Sequence, residues 1–151
     1  MMTVCLRYTR NDEDAVEVLN NGFLKVFKNI QRYDPKQASL YTWIRTIVIN
    51  GCIDFIKQKN RPEKINELSE ESEVHIEPDV ITKMKASELL DQVRRLTPAT
   101  QTVFNLYVIE GYNHKEIAQL LTISEGTSKW HLSEARKNLQ QWINEPKAKI
   151  S

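Results

Sequence analysis

Residues 112–140 read YNHKEIAQLLTISEGTSKWHLSEARKNLQ, and this stretch leaves the backbone little choice. Asn113 can cap a helix, and Glu116, three residues on, can reach back to the cap N–H. Ile117, Ala118, Leu120 and Leu121 give that helix an apolar side. Thr122-Ile123-Ser124 then breaks the pattern, and Ser124 can cap a second helix with Gly126 and Thr127 in its first turn. At about 100° per residue, Ser128, Leu132, Ala135 and Leu139 fall within a stripe about 40° wide that faces inward. Trp130, Ser133, Glu134 and Lys137 fall on the other side. This is the helix-turn-helix pattern, whose second helix enters a DNA major groove. Paired amphipathic helices with a short turn also occur as plain packing units, so the rest of the chain must decide between the two.

The remainder reads as helix throughout. Residues 1–9 resemble the end of a helix. Asn11 or Asp12 can cap a helix over about 13–31, with acidic Asp12, Glu13 and Asp14 at its start and Lys25, Lys28 and Arg32 toward its end. Both suit the helix dipole. Val16, Leu19, Phe23, Val26, Phe27 and Ile30 recur at spacings of three and four and are expected to form its buried stripe. Gly22 in mid-helix costs up to about 1 kcal/mol relative to Ala, which points to a close-packed neighbour. Pro35 closes a loop from Arg32 to Ala38, and Ser39 can cap a helix over about 39–58 whose apolar residues cover more than one face. Residues 60–78, with two prolines and a run of Glu and Ser, read as a connector. Asp79 can cap a helix from Val80 to about Leu96. Thr97-Pro98 signals a further start, and Gly111 ends that helix. No strand alternation is seen, so the fold class is all-α: two small helical domains joined by a flexible acidic linker. The expected division is 1–59, linker 60–78, 79–145 and a tail 146–151.

Charge and cysteine usage narrow the function. The net charge over 151 residues is only +1. Residues 1–59 hold nine Lys/Arg against six Asp/Glu, 60–78 two against six, and 79–151 ten against eight. Two mildly basic lobes flank an acidic connector. Non-specific DNA affinity rises with the number of phosphates neutralised, so such a chain is expected to hold DNA as part of something larger. Cys5 and Cys52 sit in apolar surroundings and read as buried free thiols. His75, His114 and His131 have no ligand-spaced partners, so no metal site is expected. No nucleophile with a paired base and no Gly-rich phosphate loop occurs, so neither enzyme activity, a small-molecule substrate nor a cofactor is expected. No apolar run reaches the roughly 18 residues that span a bilayer. With no signal-peptide layout either, a cytoplasmic location without membrane insertion is expected.

Two blocks of residues, in order, resemble a known family. Asp14-Ala15, Glu17, Phe23 to Phe27, Tyr33-Asp34, Tyr41 to Arg45, Ile49-Asn50 and Ile53-Asp54 are similar to region two of extracytoplasmic-function (ECF) RNA polymerase sigma factors of the sigma-70 family. Leu96-Thr97-Pro98, Val103-Phe104, Glu110-Gly111-Tyr112, Glu116-Ile117-Ala118, Ile123 to Thr127, Lys129 and Ala135-Arg136 are similar to its region four. The family usually carries more helix before the equivalent of Met1, so the first lobe is expected to be shortened at its N-terminus. It commonly has Gln-Glu where this chain has Asn20-Asn21, and smaller or more basic residues at Trp130 and His131.

The resemblance implies a sigma factor that binds core RNA polymerase and directs promoter-specific initiation. The first lobe would bind the β′ clamp helices through Asp14, Glu17, Asn20, Asn21 and Leu24. It would recognise and open the −10 element through Tyr33, Lys36, Gln37, Tyr41, Arg45 and Asn50. Aromatic rings and cations there suit unstacked bases and their backbone. The second lobe would bind the β flap and the −35 element, with Thr127, Lys129, Trp130, His131, Ser133, Arg136 and Lys137 as DNA-binding residues. Cations there can meet phosphates, and the others base edges or thymine methyls. Glu125 is read as favouring its helix N-terminus. Promoter DNA, core polymerase and an anti-sigma factor are the implied partners. The alternatives are a stand-alone helix-turn-helix regulator that binds DNA as a dimer, and a protein-interaction module. Co-purification with core polymerase separates the first reading from both.

Overall fold

The computed structural model describes residues 1–59 and 86–145. The expected linker, the Asp79 cap, the start of the helix at Val80 and the tail 146–151 lie outside the described residues. The described residues fall into two compact units, one within Met1–Lys64 and the other within Ile65–Ser151. Every element in both is helical, and no strand occurs among the described residues.

The first unit packs α1 (Met2–Tyr8), α2 (Asp12–Asn29) and α3 (Leu40–Lys59) against one another. Asn11 caps α2, its side chain accepting from the Asp14 N–H at 2.8 Å, and three carboxylates follow in the first turn. Ser39 caps α3 through the Thr42 N–H at 3.2 Å. The buried line of α2 is Ala15, Val18, Gly22 and Val26. This corrects the stripe expected from its large apolar residues: Val16, Phe27 and Ile30 are exposed, Phe27 to 71%. The helix turns its small residues inward because α3 approaches closely. A Cβ on Gly22 would lie 3.2 Å from Val48 Cγ2. Val48, Ile49, Cys52 and Ile53 supply the α3 side of the core, and Val4, Cys5 and Tyr8 the α1 side. Cys5 and Cys52 are free and buried. Their side chains hydrogen-bond, which holds the Cys5 thiol below its ordinary pKa.

Ion pairs clamp the rim of this unit. Lys25 faces Asp54 at 3.6 Å, and Lys59 meets Asp14 at 2.6 Å while its ammonium lies 5.0 Å from the Phe55 ring centre. Exposed pairs of this kind are worth at most about 1 kcal/mol each. Burial of Val18, Val26, Val48 and Ile53 where α2 packs on α3 supplies more, at about 1.5–3 kcal/mol per side chain.

The second unit comprises α4 (Ala86–Arg94), α5 (Pro98–Phe104), α6 (His114–Leu121) and α7 (Glu125–Asn144). The first of these stops before Leu96, which lies in a turn yet is only 1% exposed. Thr97 occupies the cap position of α5 with Pro98 behind it, but its side chain accepts no capping N–H, and its hydroxyl instead donates to Thr100 Oγ1 at 2.9 Å. The chain then widens into a π turn, Asn105–Ile109, before Gly111 ends it at φ 80°. Val103, Phe104 and Leu106 are fully buried here, whereas Val108 and Ile109 are exposed.

The helix-turn-helix forms as its caps dictate. Asn113 and Glu116 make a reciprocal capping box at α6, at 2.8 Å in both directions. Ser124 caps α7 through the Thr127 N–H at 3.0 Å. Between them Thr122 adopts φ 56°, a left-handed conformation that is strained for a β-branched residue. Ile117 of α6 packs with Leu132, Ala135 and Leu139 of α7 in the core. The cation of Arg95 covers the far end of α7, 4.1 Å from the Trp142 ring centre.

Candidate nucleic-acid interface

In the second unit, the capped start of α7 fixes which side chains face outward. Lys129 and Lys137 are exposed; Thr127, Trp130, Ser133 and Arg136 are half-buried. Lys129, Trp130, Ser133 and Lys137 share the arc opposite the buried stripe, at about 100° per residue. Two cations, an indole and a hydroxyl on one helical face can hold phosphates and touch base edges. Thr127 sits differently. Its hydroxyl lies 2.8 Å from Ser124 Oγ, so it serves the helix cap. Glu134 accepts from Asn138 at 3.4 Å along the helix. The Arg136 guanidinium lies 5.9 Å from the Tyr107 ring centre.

His131 is not on that face, and its expected place among the DNA-contacting residues is corrected. It is 5% exposed, with Nδ1 2.9 Å from Thr100 Oγ1. Nε2 is buried with no partner among the described residues. Burial pushes its pKa down to about 4, so the ring is neutral at ordinary pH. The physical reason is angular: His131 lies only about 60° from Ser128 around the helix, close enough for α5 to cover it. Trp130 packs edge-on against it at 5.0 Å, which steadies the indole at the helix surface.

A residue outside the expected set joins this edge. His114, at the start of α6, has Nδ1 2.9 Å from Ser128 Oγ and stacks on Tyr107 at 4.6 Å. Spacing within one helix cannot reveal this contact, because it crosses from α6 to α7.

In the first unit the 33–39 loop is braced from within. Tyr33 donates to the Ala38 carbonyl at 3.1 Å, and its ring lies 5.4 Å from Trp43. The Lys36 N–H donates to Asp34 Oδ1 at 2.9 Å, and the Gln37 N–H to the Asp34 carbonyl. The Lys36 and Gln37 side chains are thereby presented to solvent. Tyr41 is 61% exposed, with half-buried Arg45 one turn along the same side of α3. Asn50 is exposed but lies about half a turn away from Tyr41. The fold thus groups Tyr41, Arg45 and the loop and leaves Asn50 apart. An exposed phenol beside a cation can stack an unpaired base and hold its backbone.

The outer side of α2 makes a second kind of surface. Glu17, Asn20, Asn21 and Leu24 are exposed together, and Val16 and Phe27 extend the same strip. Of these, Val16 and Phe27 belong to the stripe that the sequence periodicity predicts as buried. Asp14 stands at the edge of this strip, held by Asn11 at 3.1 Å and by Lys59. A strip of apolar groups edged by carboxylates and amides suits a protein partner. Among the described residues no three His, Cys, Asp or Glu side chains could hold a metal ion. No helix among them is long and apolar enough to cross a membrane.

Comparison with known proteins accounts for both units. The Sigma-70 region 2 family model matches residues 1–62, and the Sigma-70, region 4 model matches residues 86–139. An ECF RNA polymerase sigma-E factor of Haemophilus influenzae is 27% identical, over 86% of this chain and 75% of that protein. The ECF RNA polymerase sigma factor SigE of Mycolicibacterium smegmatis is 23% identical, over 91% of this chain and 54% of its own length. Among solved structures, the sigma factor RpoE in complex with the anti-sigma factor NepR, from Bartonella quintana, shares the fold with a TM-score of 0.61. That match has 16% identity and covers 94% of this chain and 88% of the other.

Proposed function

We propose, since this chain belongs to the sigma-70 family as an extracytoplasmic-function sigma factor, a division of labour between its two units. The family is non-catalytic and acts with RNA polymerase at promoter DNA, so the polymerase carries the chemistry. In this proposal residues 1–59 work as region two and 79–145 as region four. The observation that carries it is the ordered pair of family matches, which also favours this reading over a stand-alone dimeric regulator.

The outer strip of α2, with Glu17, Asn20, Asn21 and Leu24 joined by Phe27, docks on the β′ clamp helices. Asp14 contributes through its carboxylate at the edge of the strip. Tyr41, Arg45, Lys36 and Gln37 hold the unstacked −10 strand, with Tyr33 shaping the loop and Asn50 contacting backbone from its own side of α3. Stacking of one base on Tyr41 contributes roughly 1–3 kcal/mol, in the range needed to favour single strand over duplex. The exposed edge of α7 reads the −35 duplex through Lys129, Trp130, Ser133, Arg136 and Lys137, while the β flap engages the same unit. The weak net charge is compatible with this, because two linked attachments multiply modest affinities. An anti-sigma protein covering the polymerase-docking strip supplies the regulation, and the protein works in the cytoplasm.

The test is binding to purified core polymerase. The full chain is expected to co-elute with core, and Leu24→Glu plus Phe27→Glu to lose that association at least about tenfold. Both side chains are exposed, so the fold should survive. Unchanged association of this variant would refute the docking surface.

A further inference from the structure

His114 is a titratable side chain on the α6–α7 edge that the proposed reading leaves without a task. Its geometry is specific. Nδ1 lies 2.9 Å from the hydroxyl of buried Ser128 in the first turns of α7. One face of the ring stacks on Tyr107 at 4.6 Å, with 23° between the planes. Arg136 lies over the same Tyr107 ring. With Nδ1 engaged and the ring held by Tyr107, Nε2 is the atom of this half-buried ring left for a ligand.

The charges around it are known from every element packed on it. From α7 come Lys129, Arg136 and Glu125; from the π turn comes Tyr107; on its own helix Glu116 is committed to the capping box. Burial first, then the Lys129 and Arg136 cations, hold the His114 pKa below the ordinary histidine value, while Glu125 pulls the other way. The imidazole therefore shares a field with two cations that are themselves suited to phosphates.

We propose that His114 is a further phosphate ligand of this unit, its Nε2 joining Lys129 and Arg136 on one duplex-facing edge, and that DNA binding takes up a proton at this ring. The inference rests on the reading of α7 as the duplex-reading helix. A phosphate at this edge neutralises the two cations that oppose protonation and adds a negative charge beside Nε2. Protonation then makes Nε2 a charge-assisted donor whatever tautomer the neutral ring held. Because the complex binds more protons than the free chain, affinity rises as pH falls.

The experiment measures binding of the full chain to a short mixed-sequence duplex at low salt, from about pH 7.5 to about pH 6. It follows the His114 ring C2–H by NMR in the free and bound states. Binding is expected to tighten about 1.5-fold to fourfold over this range, with the His114 titration midpoint moving up on binding by about half a unit to one unit. His114→Gln, which keeps a neutral donor near the Nε2 position, should retain the affinity seen at the higher pH and lose the pH dependence. An unmoved midpoint, or a pH dependence intact in His114→Gln, overturns the inference. Lys129→Ala separates the two levels. If it weakens binding while the His114 midpoint stays fixed, the duplex-reading edge stands and the proton linkage falls. If it leaves binding unchanged, the edge itself is wrong, and a wild-type chain that binds the duplex at no pH in this range overturns the proton-linked binding inferred here.

Discussion

His131 shows how one side chain can change roles between sequence and structure. Its polar ring on a DNA-reading helix invites a base contact, yet Thr100 takes its Nδ1 and α5 covers the ring. The consequence is a pH dependence with a definite sign. Burial lowers the folded-state pKa from 6.5 to about 4, so the unfolded chain binds this proton more readily. The neutral ring's contribution is complete above pH 6.5 and is lost as pH falls toward about 4. The gap corresponds to about 3 kcal/mol. In urea denaturation, His131→Leu is expected to lose less stability than wild type between those pH values. Parallel pH profiles for the two proteins would contradict the burial account. Its Nε2 has no partner to lose, so Leu should be tolerated there. The sequence signal was present but faint: at about 60° from the inward stripe, position 131 is a boundary site, and only the neighbouring helix decides which way it goes.

Among the elements, what could be read in advance was what the chain determines locally. The caps Asn11, Ser39, Asn113 and Ser124 all act within three residues of themselves, and each forms as its sequence context implies. The π turn at Asn105–Ile109 had no such signature. The face of α2 was misassigned for a tertiary reason: size pointed to Val16 and Phe27, but proximity to α3 selected Ala15, Val18 and Gly22. Gly22 and Gly51 provide the test, since both are helical and only one is crowded. Replacing Gly by Ala favours a helix by up to about 1 kcal/mol. A Cβ at Gly51 meets nothing within 4 Å, so Gly51→Ala should stabilise by up to that amount. At Gly22 the same atom presses on fully buried Val48, and the gain should vanish or reverse. Thermal unfolding of the two variants compares them directly, and Gly22→Ala as the more stable of the pair would contradict the close packing of α2 on α3.

At the level of the whole molecule, the two helical units and the family were readable because two blocks of residues occur in order, each with its own apolar periodicity. Which side chains cooperate was less readable. Tyr41 and Arg45 share a side of α3 and Asn50 does not, while Asp14 is tied to Lys59 across 45 residues of sequence. His114 of α6 meets Ser128 of α7, a contact that no spacing within either helix announces. The resulting account is bipartite: one unit docks on polymerase and holds single strand, the other positions the assembly on duplex. Its central claim is that the outer edge of α7 directs initiation by core polymerase. Run-off transcription of genomic DNA with purified core polymerase tests this most directly. The account predicts discrete transcripts that depend on the chain, and a loss of about tenfold or more with Lys129→Ala plus Trp130→Ala. Discrete transcripts that persist undiminished with that variant, or none with the wild-type chain, would contradict it.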